Sequence, residues 1–292
     1  MVQEKKLTAL IFKKRDFNFF LVSQILTQLG DKIDYIALIG LIGLYKDKAS
    51  FYLALMAIFF TAPVFLFGPI SGILIDRWNR KKILQISYLI RALLALLLPT
   101  IFLISRNIYP AFAIVFFIFL MNLFANTTRL AIIPNLVGQE AILVGNSAVS
   151  FVNRAATFVG MLTAGFIIDW PVWKVIFNIE GWQAGFYLDA FCFTVSAFLI
   201  SFISLKFIPP ETKFSILNVK SITQPFKTAY SKIKEALYLC LKNRRVTFAL
   251  GSIFLLVISA STVYVLAIPT IQIDFNLGTK GVGLLGAIGA IG

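Results

Sequence analysis

The chain has 292 residues, 59% of them apolar and only 14% charged, against about 45–50% and about 25% in soluble domains. That composition excludes an ordinary soluble globule and describes a polytopic membrane protein whose outer surface meets lipid. With no histidine and only two cysteines, Cys192 and Cys240, no Cys/His metal cluster can form, and neither a metal nor a cofactor is expected.

A spanning helix needs about 20 mostly apolar residues. The first polar, basic stretch carries Lys5, Lys6, Lys13, Lys14 and Arg15 and shows no cleavage signal; the apolar run after it is too long for a signal-peptide core. Six full candidates follow at 17–44, 51–75, 83–104, 108–132, 143–168 and 184–207, and a seventh at 246–272. An eighth begins near Gly281 and reaches the last residue, Gly292, after about 18 Å of rise, which is too short to cross. The chain is therefore expected to be part of a longer protein, truncated in its eighth span. The fold class this implies is all-α, a polytopic transmembrane helical bundle.

Topology follows from the cations. Nineteen Lys and Arg fall before the first span and after the second, fourth and sixth, against five (Lys46, Lys48, Arg106, Lys174, Lys280) on the other side. The positive-inside bias makes the N-terminus cytoplasmic. It also accounts for the net charge of +14 without a polyanion, so nucleic acid is not an expected partner. The densest group is the turn after the second span, where Arg77, Arg80, Lys81 and Lys82 occur within six residues.

Residues 208–245 form the only long polar stretch. The chain thus divides into 1–207 (six spans), 208–245 (a basic cytoplasmic linker) and 246–292 (the start of a second, incomplete set). This is the 6+6 layout of a transporter built from repeats. Inside the linker Ala229, Ile233, Ala236, Leu237, Cys240 and Leu241 recur at helical spacing opposite lysines, which predicts an amphipathic helix on the membrane surface.

Ionisable residues inside spans are costly and usually pair or line a cavity. Six lie well inside: Asp31, Lys32, Asp34, Arg91, Arg154 and Asp189. Three acids and three bases predict mutual pairing across helices. On the first span Gln24, Gln28, Asp31 and Tyr35 fall within about 60° of one another at helical spacing. Such a stripe should face protein or water. Asn122, Asn126 and Arg129 make a similar stripe on the fourth span, and Ser147 and Arg154 share a face of the fifth, with Ser150 at its edge.

Five stretches carry a family likeness: Gln24 to Ala37; Gly72-x-Leu74-x-Asp76-Arg77-x-x-Arg80-Lys81-Lys82; Asn126 to Arg129 running on to Ile133–Val137; Gly181-Trp182 followed by Phe186, Asp189-Ala190 and Ser196-Ala197; and Lys234 to Arg245. In this order they resemble the drug, macrolide and enterobactin efflux branch of the major facilitator superfamily. The resemblance implies the major facilitator fold, no enzymatic activity, and secondary active transport in a bacterial cytoplasmic (inner) membrane. The transport would be proton-coupled efflux of a small amphiphilic molecule by alternating access, with protons and the lipid bilayer as further partners and the remaining C-terminal half supplying the rest of the cavity. It also implies that the first and fourth spans border the central cavity, and that Gly72, Asp76, Arg77, Arg80, Lys81 and Arg129 form a cytoplasmic latch. Gly72 would allow close helix approach, and Asp76 would sit at the positive N-terminus of the third helix with Arg77 and Arg129 as partners. Exporters of this branch usually carry a Gly-Pro-rich motif in the fifth span; here the segment is Gly160-Met161-Leu162-Thr163-Ala164-Gly165, without proline, although its glycines still allow close packing. The alternative within transport is a lysophospholipid or other lipid carrier without obligatory proton exchange.

Asp31 and Arg154 fall about halfway along their spans, where transporter sites lie. The reading that follows makes Asp31 the carrier of an exchanged proton with Asp34 in support, and Arg154 a holder of an anionic group. The plainer alternative is a permanent ion pair of Asp31 or Asp34 with Lys32, Arg91 or Arg154. No nucleophile–base pair is present, so catalytic residues are not expected.

Overall fold

A computed structural model describes residues 10–204 and 242–291, which form helices and the turns between them with no strand among the described residues. In chain order the long helices are α1 (Arg15–Ile42), α2 (Ala49–Arg77), α3 (Arg80–Ser105), α4 (Tyr109–Val137), α5 (Ile142–Ile168), α6 (Gly181–Ser201), α7 (Arg244–Pro269) and α8 (Gly278–Ile291). A one-turn helix, Val172–Ile176, lies between α5 and α6. The amphipathic segment expected around Ala229–Leu241 and Cys240 lies outside the described residues.

Each apolar run became a helix, and local chemistry set the ends. Asn79 caps α3 by accepting from the Lys82 backbone N–H, one of the donors a helix start leaves orphaned. Arg106 takes the left-handed conformation that ends α3, and Gly138 (φ 88°) ends α4. A capping box of Glu180 and Gln183 starts α6 at Gly181, three residues before the apolar run at 184. The eighth helix likewise starts at Gly278, ahead of Gly281.

Among the described residues six helical segments are long and apolar enough to cross a membrane, covering α2 to α7. α1 is as long as the others at 28 residues, but Asp31, Lys32 and Asp34 interrupt its apolar run. Its position compensates. Around the bundle α2 packs on α4, α4 on α3, α3 on α6, α6 on α1, α1 on α5 and α5 on α8. α1 is thus shielded by neighbours where lipid would not tolerate its charges. Outward-facing Phe65, Ile104, Leu143 and Phe151 are exposed, as expected of surfaces facing hydrocarbon.

The apolar core has two parts. One gathers Ile36, Leu38, Ile39, Leu98, Phe112, Val115 and Phe186; the other gathers Phe17, Phe20, Leu84, Ala95, Ile132, Phe193 and Ile200. The buried charges lie close to the junction, with Asp31 between Leu21 and Ile33 on α1 and Asp189 between Phe186 and Ala190 on α6.

Candidate functional site

Asp31 and Asp34 stand one helical turn apart on α1, so both carboxylates project to one side. From α3 the Arg91 guanidinium reaches them and forms an ion pair with Asp31 through Nη1. Its Nη2 lies 3.5 Å from Asp34 Oδ2 and 3.6 Å from Asp189 Oδ1 of α6. Arg91 is 2% exposed, Asp34 1% and Asp189 0%; Asp31 keeps a side-chain exposure of 16%. The guanidinium plane also lies over the Phe193 ring, 3.9 Å from its centroid, a favourable cation–π placement in a dry site. Gly30 makes the α1–α6 approach possible: a Cβ there would stand 2.7 Å from Asp189 Oδ1.

A polar chain continues from this centre. The Tyr88 ring meets Phe193 edge-on at 5.4 Å. The Gln24 amide donates to the Tyr88 hydroxyl at 3.2 Å, and Arg129 of α4 donates to Gln24 Oε1 at 3.2 Å. Gln24 is thereby satisfied on both amide atoms although wholly buried.

The α1 stripe does not line one wall. Gln24 turns to α3 and α4, Gln28 accepts from Thr157 of α5 at 3.3 Å, Asp31 pairs with α3, and Tyr35 meets the Phe60 ring of α2 at 6.1 Å. α1 touches several helices, so positions 60° apart meet different neighbours. On α4, Asn126 donates to Asn122 at 3.3 Å, while Arg129 leaves for Gln24.

The expected pairing of three acids with three bases is corrected. Among the described residues Asp31, Asp34 and Asp189 share Arg91 alone. The Lys32 stem packs against Gly160, where a Cβ would stand 3.1 Å from it, and Arg154 is exposed on α5 together with Ser147 and Ser150. Neither Lys32 nor Arg154 forms an ion pair there.

At the basic end of the bundle, cations bind carbonyls at helix C-terminal ends. Arg80 donates to Ala131 O and Asn135 Oδ1, each at 2.8 Å. Lys81 donates to Ser201 O at 2.8 Å and Lys14 to Val137 O at 2.8 Å. The two lysines satisfy carbonyls orphaned at the last residues of α4 and α6, Val137 and Ser201, and complement the negative ends of those helices. Arg80 and Lys81 tie α3 to α4 and α6. One latch expectation changes. Among the described residues no atom lies within 4 Å of a Cβ placed on Gly72, so the close approach expected there is not made. The side chains of Asp76 and Arg77 lie outside those described.

A contact that sequence reasoning missed lies at the opposite end. Asp169, just past α5, accepts from Thr279 Oγ1 at 2.8 Å and from the Lys280 backbone N–H at 3.0 Å. Its carboxylate thus caps the N-terminus of α8, a favourable charge–dipole arrangement. The helices touch backbone to backbone there, since a Cβ on Gly165 would stand 2.6 Å from Thr279 O. The fifth-span glycines do allow the close packing expected of them.

Residues 17–292 match the family model described as Major Facilitator Superfamily. The chain belongs to this family. A relative from Bacillus subtilis (strain 168), named "Putative bacilysin exporter BacE", is 28% identical over 225 residues, 76% of this chain and 51% of that protein. A relative of the same name from Bacillus amyloliquefaciens is 27% identical over the same shares. An "Uncharacterized MFS-type transporter YfiS" of Bacillus subtilis (strain 168) is 36% identical over 73 residues, 25% of this chain and 18% of its own length. The chain spans about half the length of the exporter-named relatives it matches. As a major facilitator chain of α-helices, with six segments among the described residues long and apolar enough to cross a membrane, it is a multi-pass membrane protein of a transporter family.

Proposed function

We propose that the protein is the N-terminal part of a proton-coupled exporter of the cytoplasmic membrane, with its N-terminus on the cytoplasmic side. It exports an amphiphilic small molecule, of the drug, macrolide or siderophore-like kind, by alternating access. The observation that carries the coupling is the Arg91 centre, where three carboxylates answer one guanidinium midway along α1 and α6. A buried net charge is costly, and a proton is the neutralising partner such a centre lacks. Asp31, the member with solvent contact, is the entry point for that proton, and Asp34 supports it. The exporter names of two relatives support efflux over lipid facilitation. Gln28, Tyr35, Asn122, Asn126 and Arg154 are the candidates for the wall that the substrate meets, while Arg80, Lys81 and Arg129 brace the cytoplasmic ends of the helices beside the Asp76–Arg77 turn.

The test uses the full-length gene in an efflux-deficient bacterium. Extrusion of ethidium or erythromycin that stops with a protonophore supports the reading. Extrusion that persists with the protonophore removes the proton coupling from it.

A further inference from the structure

The exporter reading needs a proton somewhere, and the buried charges place it more narrowly. We propose that Asp189 of α6, together with Asp34 and Asp31 of α1 around Arg91, forms a proton-binding site inside the six-helix bundle, with Asp189 an essential carboxyl of that site. This deepens the proposed function and rests on it only for the role of the proton in transport.

Three observations converge. Asp34 and Asp189 flank the same guanidinium nitrogen at 3.5 and 3.6 Å, so two like charges compete for one cation. Neither oxygen of Asp189 nor Asp34 Oδ1 has a hydrogen-bond partner among the described residues, although each is buried. A buried acceptor left unpaired is costly, and a protonated carboxyl gains an O–H with which to donate to its neighbour. Finally, the centre admits nothing larger. Asp34 and Asp189 are almost wholly withdrawn from solvent, the guanidinium already occupies the middle, and no group of acids able to hold a metal ion exists among the described residues.

The surrounding charges leave the imbalance in place. α3 presents Arg91 and the Tyr88 hydroxyl, which is taken by Gln24. α4 presents Arg129, likewise engaged by Gln24. α6 adds the Cys192 thiol, whose Cβ lies beside Gly30. Lys32 leans on Gly160 of α5, Arg154 is exposed, and Lys280 of α8 lies over the Phe166 ring. The proton passes from water to the partly exposed Asp31 carboxylate and on to the Asp34–Asp189 pair. One O–H bond breaks and one forms at each transfer, and Arg91 stays a cation throughout.

The test is infrared difference spectroscopy of the full-length transporter in lipid nanodiscs, which needs no substrate. At neutral pH the wild type should show the C=O stretch of a protonated carboxylic acid, shifted in D2O and reduced on alkaline titration. Asp189→Asn should lose at least one carboxyl's worth of that band. Arg91→Gln, which removes the cation, should enlarge it, and Glu140→Gln, at an exposed carboxylate, should leave it alone. Absence of the band in the wild type overturns the site even if no variant folds. A band unchanged in Asp189→Asn also overturns it. The outcome is separable from the exporter reading. A band lost in Asp189→Asn without any extrusion keeps the site and removes the exporter, and protonophore-sensitive extrusion without the band does the reverse.

Discussion

Arg91 Nη2 and Asp189 Oδ1 lie 3.6 Å apart, on α3 and α6, each side chain almost fully withdrawn from solvent. Removing one partner of a buried pair leaves the other charge uncompensated, at a cost of about 3–5 kcal/mol. Arg91→Leu is therefore expected to be among the most destabilising single changes in the chain, read as a lower midpoint of thermal unfolding in nanodiscs. Arg91→Lys should restore stability only partly, because an ammonium cannot lie as a flat fork over Phe193 while addressing three carboxylates.

Gln24 offers a second test of the buried polar chain. It links Arg129 to Tyr88 through both of its amide atoms. Gln24→Leu takes one partner from the Tyr88 hydroxyl and strands part of the Arg129 fork, and a stranded buried partner costs about 1–3 kcal/mol. Tyr88→Phe removes only one end of the chain and should cost less. Thermal unfolding of the two variants side by side decides the order.

The spans were legible in the sequence because length and apolarity alone specify a crossing helix, and Asp31 and Asp34 were legible because acids are rare in such segments. What they pair with was not. Arg91, Lys32 and Arg154 are equivalent by composition, and only the neighbour order α3–α6–α1 brings Arg91 and Asp189 to the α1 acids. The stripe of Gln24, Gln28, Asp31 and Tyr35 misled for a related reason. A shared helix face implies a shared environment only on a helix that packs on one neighbour, and this stripe of α1 meets α2, α3, α4 and α5 in turn. The Asn79 cap was available locally, as an Asn three residues ahead of Lys82. The Asp169 cap of α8 was not, since the partners are 110 and 111 residues apart in sequence.

The basic turn makes a prediction of its own. Arg80 holds two oxygens of α4 at 2.8 Å, so Arg80→Gln should destabilise by about 1.5–3 kcal/mol if both charge-assisted bonds are lost. Lys81→Gln, at a more exposed carbonyl, should cost less. Arg80→Lys keeps the charge that sets topology and loses the fork. Comparing its unfolding midpoint with that of Arg80→Gln separates the two contributions.

At the other end, Asp169 and Gly165 hold α8 against α5. Asp169→Ala removes a helix cap, worth about 1 kcal/mol, and should speed exchange of the Lys280 amide hydrogen about fivefold. Gly165→Val sets a side chain against the Thr279 carbonyl and should part the helices outright. Hydrogen exchange across residues 278–291 reads both, and unchanged protection in Gly165→Val would show that α8 is held by other contacts.

The most direct measurement follows protons against substrate in inverted membrane vesicles containing the full-length transporter. With the lumen acidified and a fluorescent acridine reporting the gradient, added ethidium or erythromycin should partly collapse the gradient in the wild type and leave it intact in Asp31→Asn and Asp189→Asn. Accumulation of either compound with no change in the gradient, or an equal collapse in Asp189→Asn, contradicts the account.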